Sequence, residues 1–281
     1  MKEDKDYKYD IIDGFEFSTD HNDIDEAVAL IFHMPTLSRE DKMFDKNRKK
    51  AGQFWVFWSM ECEAHYEWQY EPGILSLFDI FGTYKMDSDI PVPYLYPIHR
   101  KLLRRRPAPK NELINAFISS TFDESNRIKY LKELMSCLDV HSYGRMLNNR
   151  SVTMDKGDFT KKKIMSKHKF SIAFENAIAK DYVTEKFFDP LIAGSVPIYL
   201  GAPNIEDFAP GDQCYINVDS FSSVKALADY ILELDNDRAR YDAYLNWKKL
   251  PFRNEFNRKI DSIEERSLIR LCKLIEMKMR L

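Results

Sequence analysis

The stretch "FENAIAKDYVTEKFFDPLIAGSVPIYLG", residues 174–201, places a run of polar residues between two apolar, strand-like segments. A helix is expected from about Thr184 to Ala193, and Thr184 at its start can cap the free backbone N–H groups. Lys186 in the first turn opposes the helix dipole, so it favours a bound anion such as a diphosphate. Glu185 beside it can accept hydrogen bonds from ribose hydroxyls. These residues predict a nucleotide site, and an ordinary loop–helix junction with surface charges stays open as the alternative.

Strand-like and helical segments alternate on both sides of this stretch. The strand-like segments are residues 115–119, 139–143, 169–175, 196–201 and 213–218, and helices are expected over 123–138 and 222–235. This alternation predicts an α/β fold with a parallel sheet covered on both faces, the layout of a nucleotide-binding domain. The chain has no G-x-G-x-x-G and no Walker sequence, which argues against dehydrogenases and P-loop enzymes. Pro190 falls inside the expected helix and predicts a kink or a short helix.

The first half of the chain has a different pattern. Residues 24–32 have the spacing of a short amphipathic helix, and residues 52–61 form an aromatic-rich, buried strand that ends in an acid. Residues 87–97 contain three prolines and are expected to be extended rather than a central strand. Proline and charge in "RRRPAPK", residues 104–110, predict a linker. The predicted division is an N-terminal domain (1–105), a second domain (106–255) and a C-terminal helix (256–281).

Composition excludes several classes of protein. The net charge of −3 and the pI near 6.1 predict no nucleic-acid partner. The four cysteines lie far apart without a C-x-x-C pair, which favours a reduced, intracellular protein, although one or two disulfides stay open. The charged N-terminus lacks the apolar region of a signal peptide, and no run of 18 apolar residues predicts a transmembrane segment. His33, His99 and His141 have no pattern of partners that predicts a metal site.

The central stretch resembles the donor-binding motif of the α1,3/α1,4-fucosyltransferase family. The motif has F-E-N, then Y-V-T-E-K, then A-G-x-V-P-I-x-x-G, and this chain contains all three parts. Residues 184–210 resemble most closely the core-type members, which fucosylate the core of N-glycans. Weaker similarity in residues 126–145, 60–66 and 88–94 extends the resemblance over roughly residues 53–250.

The resemblance implies a GT-B architecture, with two Rossmann-like domains facing a central cleft. It also implies transfer of fucose from GDP-fucose to a GlcNAc hydroxyl of a glycan acceptor, with inversion and α1,3 linkage. One general base serves such a displacement, and Glu61 in "WSMECEAHY" occupies its place. Cys62 and Glu63 stand where many members have Ser and Pro, which is a departure from the family pattern. His65 and Tyr66 are carried over as acceptor-binding residues.

The same resemblance assigns residues to the donor. The donor-binding residues carried over are Arg127, Tyr143, Gly144, Asn176, Tyr182, Glu185 and Lys186. Arg127 and Lys186 match the phosphate clamp of the family, and Glu185 matches its ribose-binding acid. No metal ligand is assigned and no cofactor is expected, because GT-B enzymes do not generally need a bound metal; stimulation by a divalent cation stays open.

Two other functions fit the sequence. One is a GT-B glycosyltransferase with a different donor or linkage, and the other is a catalytically inactive protein that binds sugar nucleotides or glycans. The altered residues after Glu61 support the inactive alternative. The presence of four family residues argues against it, namely Glu61, Arg127, Glu185 and Lys186. The predicted location is cytoplasmic if the chain is full length, and the Golgi lumen if it is a trimmed domain of an anchored enzyme.

Overall fold

The aromatic-rich segment predicted as a buried strand is the second strand of a four-stranded sheet. In the computed structural model, which describes residues 10–12, 14–41, 44 and 48–280, this segment is Phe54–Ser59. The strands here are β1 (Asp10–Ile12), β2 (Phe15–Phe17), β3 (Ala29–His33), β4 (Phe54–Ser59), β5 (Ile80–Thr83) and β6 (Ile90–Pro91). β1 and β2 form an antiparallel pair, and β3 to β6 form a parallel sheet in that order. The helix α1 (Pro72–Leu75) precedes β5.

The predicted helix over residues 24–32 is wrong. The chain turns there, and β3 begins at Ala29 and pairs with β4 in parallel register. The Gln53 side chain holds the turn by donating to the carbonyls of Ile24 and Ala27, at 2.8 and 2.9 Å. A short apolar run has no decisive periodicity, so pairing with a neighbouring strand decides its conformation.

A second, five-stranded parallel sheet forms the framework of residues 93–261. Its strands are β7 (Glu112–Ala116), β8 (Val140–Ser142), β9 (His168–Phe174), β10 (Val196–Leu200) and β11 (Ile216–Asn217). They lie in the order β11-β10-β9-β7-β8. The helices are α2 (His99–Leu102), α3 (Arg127–Cys137), α4 (Asp158–Met165), α5 (Glu185–Ala193), α6 (Val224–Asn236), α7 (Arg238–Ala243), α8 (Asn254–Ser262) and α9 (Ser267–Met279).

Helix pairs cover this second sheet. α3 packs beside α6, and their apolar side chains join a core with the strands, while α4 packs beside α5. β10 is buried along its whole length, as expected of a strand covered on both faces. The predicted α/β class with a parallel sheet is confirmed. Pro190 lies inside α5, which is nine residues long.

The contacts divide the described chain into two units, residues 1–92 with 262–281 and residues 93–261. The predicted single C-terminal helix over 256–281 is wrong, because the chain breaks between α8 and α9. α8 packs in the second unit, whereas Leu271 and Ile275 of α9 pack on the sheet of the first unit. The predicted functional boundary near residue 105 stays a prediction. By contacts, Arg104 belongs to the second unit, where it donates to the carbonyls of Lys248 and Leu250.

Three other predictions concern the whole chain. Residues 1–9, on which the absence of a signal peptide was predicted, lie outside the described residues. Within the described ranges, no helix is both long enough and apolar enough to cross a membrane. None of the four cysteines forms a disulfide bond.

Candidate functional site

The end of β9 carries a fully buried carboxylate, Glu175. Its oxygens accept hydrogen bonds from the backbone N–H and the hydroxyl of Thr184, both at 2.8 Å. Its Oε2 lies 3.4 Å from Nζ of Lys186. Burial raises the pKa of Glu175, and the charge of Lys186 and the Thr184 hydrogen bonds act in the opposite direction. A buried carboxylate needs such partners, so this network fixes how the loop enters α5.

Thr184 is the N-cap of α5, as the sequence predicts. Its hydroxyl accepts from the backbone N–H of Lys186 at 3.3 Å and from the Lys186 ammonium at 3.0 Å. The ammonium lies 3.4 Å from both Glu175 and Glu185. Burial alone would lower the pKa of Lys186, but the two carboxylates outweigh it and raise that pKa. A positive charge is therefore held at the N-terminus of a helix, where anions bind.

Glu185 is the first residue of α5, and its side chain is nearly half exposed. Burial acts to raise its pKa, but the nearby charges of Lys186 and Lys161 lower it on balance. Glu185 is thus an ionised carboxylate that can accept hydrogen bonds from a ligand.

Arg127 begins α3 and is 2% exposed. Its guanidinium donates to the carbonyls of Phe174 and Phe122, at 3.3 and 3.1 Å, and burial lowers its pKa. Its Nε is buried without a hydrogen-bond partner and lies 3.9 Å from Asp123. Arg127 is close enough to Glu175, Glu185 and Lys186 for their charges to shift one another's pKa. The structure therefore brings together Arg127, Glu185 and Lys186, which were predicted to bind the donor.

Asn176 and Tyr182 belong to the same edge of the sheet. The Asn176 carbonyl accepts from the Ser125 N–H at 3.2 Å, while its side-chain Oδ1 is buried without a hydrogen-bond partner. Buried polar atoms are normally paired, so this unpaired oxygen marks a place where a hydrogen-bond donor is missing. Tyr182 is 2% exposed and meets the ring of Tyr94 edge-to-face at 6.3 Å. Both predicted residues therefore line the entry to α5.

Tyr143 and Gly144 follow β8, which is separated from β9 by β7. The Tyr143 ring stacks on Phe117 with centroids 5.2 Å apart. A Cβ at Gly144 would lie 2.1 Å from the carbonyl oxygen of Ile118, so no other residue fits without a backbone shift. Tyr143 and Gly144 therefore lie at the same carboxyl edge of the sheet as Glu175, but two strands away from it.

A cavity of about 680 Å³ lies between the beginnings of α3 and α6. It is within the size range of ligand sites. Its lining includes Lys129, Tyr130, Asp219, Phe221 and Ser223, and none of these residues belongs to a sequence motif that predicts a ligand. The one sequence signal for this place is the Ser222–Ser223 pair, which marks a helix start. Separated residues with no shared motif come together only in the fold.

In the first unit, Glu61 follows β4 after one residue. Its Oε2 lies 3.6 Å from Nδ1 of His65, and both side chains are about one third exposed, at 32% and 31%. The His65 ring stacks on Tyr66 with centroids 4.5 Å apart. The structure therefore groups the three residues predicted for the base and the acceptor, Glu61, His65 and Tyr66.

Glu63, at an altered motif position, has a different environment. It accepts a hydrogen bond from the Tyr84 hydroxyl and forms an ion pair with Lys85. Burial acts to raise its pKa, but Lys85 and Tyr84 outweigh burial and lower it. Cys62 is buried, and burial raises the pKa of its thiol. Glu63 is therefore held by Tyr84 and Lys85, whereas the carboxylate of Glu61 lies beside His65.

Comparisons with known sequences match both parts of the chain. The C-terminal profile of glycosyltransferase family 10 (fucosyltransferase) matches residues 107–280, and the fucosyltransferase N-terminal profile matches residues 6–95. The dog (Canis lupus familiaris) "GDP-fucose protein O-fucosyltransferase 3" is 34% identical over 71% of this chain and 45% of its own length. The mouse (Mus musculus) "4-galactosyl-N-acetylglucosaminide 3-alpha-L-fucosyltransferase 9" is 31% identical over 85% of this chain and 65% of its own length. The chain thus spans less than two thirds of these relatives.

Solved structures agree with the fold. A crystal structure of an alpha1,3-fucosyltransferase aligns with a TM-score of 0.63 and 19% identity, over 85% of this chain and 76% of the other. A structure of an alpha1,3-fucosyltransferase with GDP-fucose aligns with a TM-score of 0.55 and 20% identity, over 75% and 74%. The similarity confirms the predicted GT-B type fold. The predicted core-type subgroup stays a prediction.

Proposed function

The chain belongs to glycosyltransferase family 10, the fucosyltransferases, and from this premise we propose that it transfers L-fucose from GDP-fucose to a GlcNAc hydroxyl of a glycan acceptor. The proposed linkage is α1,3, formed with inversion. The observation that carries the proposal is the capped N-terminus of α5, where Glu175 and Thr184 hold the Lys186 ammonium in place.

In the proposed donor complex, positive groups face the diphosphate. Lys186, the N-terminus of α5 and the buried guanidinium of Arg127 would offset negative charge that grows on GDP as the fucosyl bond breaks. Glu185 would accept hydrogen bonds from the ribose hydroxyls, and the unpaired Oδ1 of Asn176 would accept one from the donor. Because the protein supplies these cations itself, we expect transfer without an added divalent metal.

On the acceptor side, Glu61 would act as the general base. It would remove the proton from the acceptor hydroxyl while that oxygen attacks C1 of fucose and GDP leaves from the opposite face. The side chains of Glu61 and Glu63 are about equally exposed, at 32% and 29%, so their partners make the difference. Glu61 lies 3.6 Å from His65, whereas Glu63 is held by Tyr84 and Lys85, which supports Glu61 for this role. The step balances. Glu61 takes the proton, C1 of fucose forms its new bond to the acceptor oxygen, and the electron pair of the broken bond to phosphate leaves with GDP.

A hydroxyl of a protein side chain is a second candidate acceptor. One relative is named as a protein O-fucosyltransferase, so the hydroxyl of a Ser or Thr residue in a protein is an alternative to a GlcNAc hydroxyl. The donor and the proposed role of Glu61 are the same in both cases. The two hypotheses differ in the acceptor alone.

The deciding experiment is release of GDP from GDP-fucose in the presence of single acceptors. The panel is LacNAc, chitobiose, a GlcNAc-terminated N-glycan and folded protein domains with exposed Ser and Thr, with GDP-mannose as the competing donor. GDP release that depends on both GDP-fucose and a glycan supports the proposal. GDP release with a protein domain, but with no glycan, would show that the acceptor is a Ser or Thr hydroxyl of a protein. Turnover of GDP-mannose instead would overturn the donor assignment, and GDP-fucose binding without release for any acceptor would favour the inactive binding protein.

A further inference from the structure

Two histidines and a glutamate meet near the beginnings of three strands of the second sheet. Glu112 is the first residue of β7, His168 is the first residue of β9, and His141 lies in β8 between Val140 and Ser142. Nδ1 of His141 lies 3.1 Å from Nε2 of His168 and 3.7 Å from Oε2 of Glu112. The donor candidates, in contrast, follow the carboxyl ends of these strands. The sequence offered no partner for His141, because residues 112, 141 and 168 come together only through strand order.

The outer nitrogen of each ring faces an oxygen that can only accept a hydrogen bond. Nδ1 of His168 lies 2.9 Å from the carbonyl oxygen of Ile164, so this nitrogen carries a hydrogen. Nε2 of His141 lies 3.5 Å from Oδ2 of Asp139, which favours a hydrogen on that nitrogen too. With hydrogens on both outer nitrogens, the two inner nitrogens carry lone pairs and face each other at 3.1 Å. In this tautomer, a cation between the two nitrogens, either a shared proton or a metal ion, satisfies both lone pairs, whereas a His141 ring with its hydrogen on Nδ1 would donate it to His168 instead.

The geometry suits a metal ion. The three ligand atoms lie within 4.8 Å of one another. Zinc–nitrogen bonds of about 2.0–2.1 Å in a tetrahedral site place two ligand nitrogens about 3.3 Å apart. The contacts of the outer nitrogens with Ile164 and Asp139 are the kind that orient metal-bound histidines. Two imidazoles and one carboxylate are a ligand set of zinc and related transition metals, and three protein ligands leave a fourth position for water.

Other charged groups around the cluster are already engaged. The Lys110 ammonium donates to the carbonyl of Ser166 at 2.7 Å, and the Arg150 guanidinium lies 3.5 Å from Asp139. The Tyr143 ring meets His168 edge-to-face at 6.4 Å. His168 is 1% exposed, so a cation here would be enclosed on one side by protein.

We propose that Glu112, His141 and His168 bind one zinc-type divalent cation, which ties β7, β8 and β9 together near their amino ends. The proposal does not depend on the proposed transfer chemistry, although the ring of Tyr143, which the resemblance assigns to the donor, contacts His168. A metal at this place would stabilise the second unit, because it binds three strands of the folded protein and not the unfolded chain.

The test uses the whole chain, stripped of metal by chelator and dialysis. Zn²⁺ is added in isothermal titration calorimetry, and bound metal is counted by mass spectrometry after gel filtration. We expect one Zn²⁺ per chain and a higher thermal unfolding midpoint with Zn²⁺ than without. Co²⁺ in the same place should give the visible absorption of a tetrahedral site, and Mg²⁺ should not compete, because imidazole nitrogen is a poor ligand for it.

Variants assign the metal to this cluster. His141→Ala removes a half-buried ligand and should abolish Zn²⁺ binding and the thermal shift, while Glu112→Gln should weaken both. Asp139→Asn, which alters the orienting contact, should weaken binding by about 10- to 100-fold. His21→Ala is the control, because His21 is an exposed histidine in the first unit, and it should bind Zn²⁺ as the wild type does.

Circular dichroism of each metal-free variant separates loss of metal from loss of fold. A folded His141→Ala variant that still binds one Zn²⁺ with wild-type affinity would overturn the proposal. The same conclusion follows if the wild type binds no Zn²⁺, since a proton shared between the rings would then satisfy the two nitrogens. Failure of GDP release in the transfer assay has no bearing on either outcome.

Discussion

The carboxyl ends of β4 and β9 make an instructive comparison, because each strand lies inside a parallel sheet and a glutamate follows each one. Glu175, directly after β9, is fully buried and bound by Thr184 and Lys186. Glu61, two residues after β4, is about one third exposed and lies beside His65. The first glutamate organises the start of α5, whereas the second keeps part of its side chain accessible, as the proposed general base requires.

The difference follows from the surroundings of each carboxylate. A buried carboxylate must keep its partners to be tolerated, so Glu175 serves as a fixed support for Lys186 and the start of α5. A partly exposed carboxylate keeps access to solvent and to an acceptor, as a general base requires. We therefore expect changes at Glu61 to affect turnover and changes at Glu175 to affect stability and donor binding.

The largest expected effect is on turnover by Glu61→Gln. Loss of a general base typically lowers kcat by about 10²- to 10⁴-fold. Initial rates of GDP release at saturating acceptor measure this loss, and equilibrium binding of GDP-fucose should be unchanged. Glu63→Gln serves as the matched control, and its loss should be less than about 10-fold. An equal loss in both variants would contradict the assignment of the base to Glu61.

Next in size is the effect of Lys186→Ala on the donor. Removing a charge-assisted contact to phosphate should raise the Kd for GDP by about 10- to 100-fold. Calorimetric titration with GDP measures the change. Lys163→Ala is the control, because Lys163 is exposed on α4, and it should bind GDP as the wild type does. Unchanged affinity in the Lys186 variant would remove this residue from the phosphate contacts.

A smaller effect is expected on stability from Glu175→Gln. The neutral amide cannot accept both Thr184 hydrogen bonds as the carboxylate does, and it leaves the Lys186 charge with one carboxylate fewer. The free energy of unfolding should fall by about 1–3 kcal/mol. Urea unfolding measures this fall, with Glu61→Gln expected within about 0.5 kcal/mol of the wild type. If the two variants are equally stable, the contrast between the two glutamates fails.

The smallest expected effect is a pH dependence from Glu63. Its pKa in the folded protein lies below the ordinary value of 4.5, so its contribution to stability is present above that value and is lost as the pH falls through the folded pKa. Between pH 7 and pH 5, wild type and Glu63→Gln should therefore differ by a constant amount. Urea unfolding at several pH values below 5 should show this difference shrinking, and a difference that stays constant there would contradict the ion pair with Lys85.

Much of the second unit could be predicted from sequence. The strand ending at Phe174, the cap at Thr184 and the helix through Ala193 follow from local signals, namely an apolar run and a capping residue. The local signal failed for residues 24–32, where the strand Ala29–His33 depends on a partner strand distant in sequence. It also failed over residues 256–281, where one apolar periodicity spans two helices that pack in different units.

By itself, the sequence determined the alternating α/β pattern and the chemistry at the start of α5, because helix caps, helix dipoles and nearby charges act over a few residues. Tertiary structure alone decided that Glu175 is the buried support of Lys186 and that Glu63 is bound to Tyr84 and Lys85. It also decided that His141 meets His168 and Glu112 across three strands. Burial and long-range pairing set these environments, and neither is encoded in the spacing of neighbouring residues.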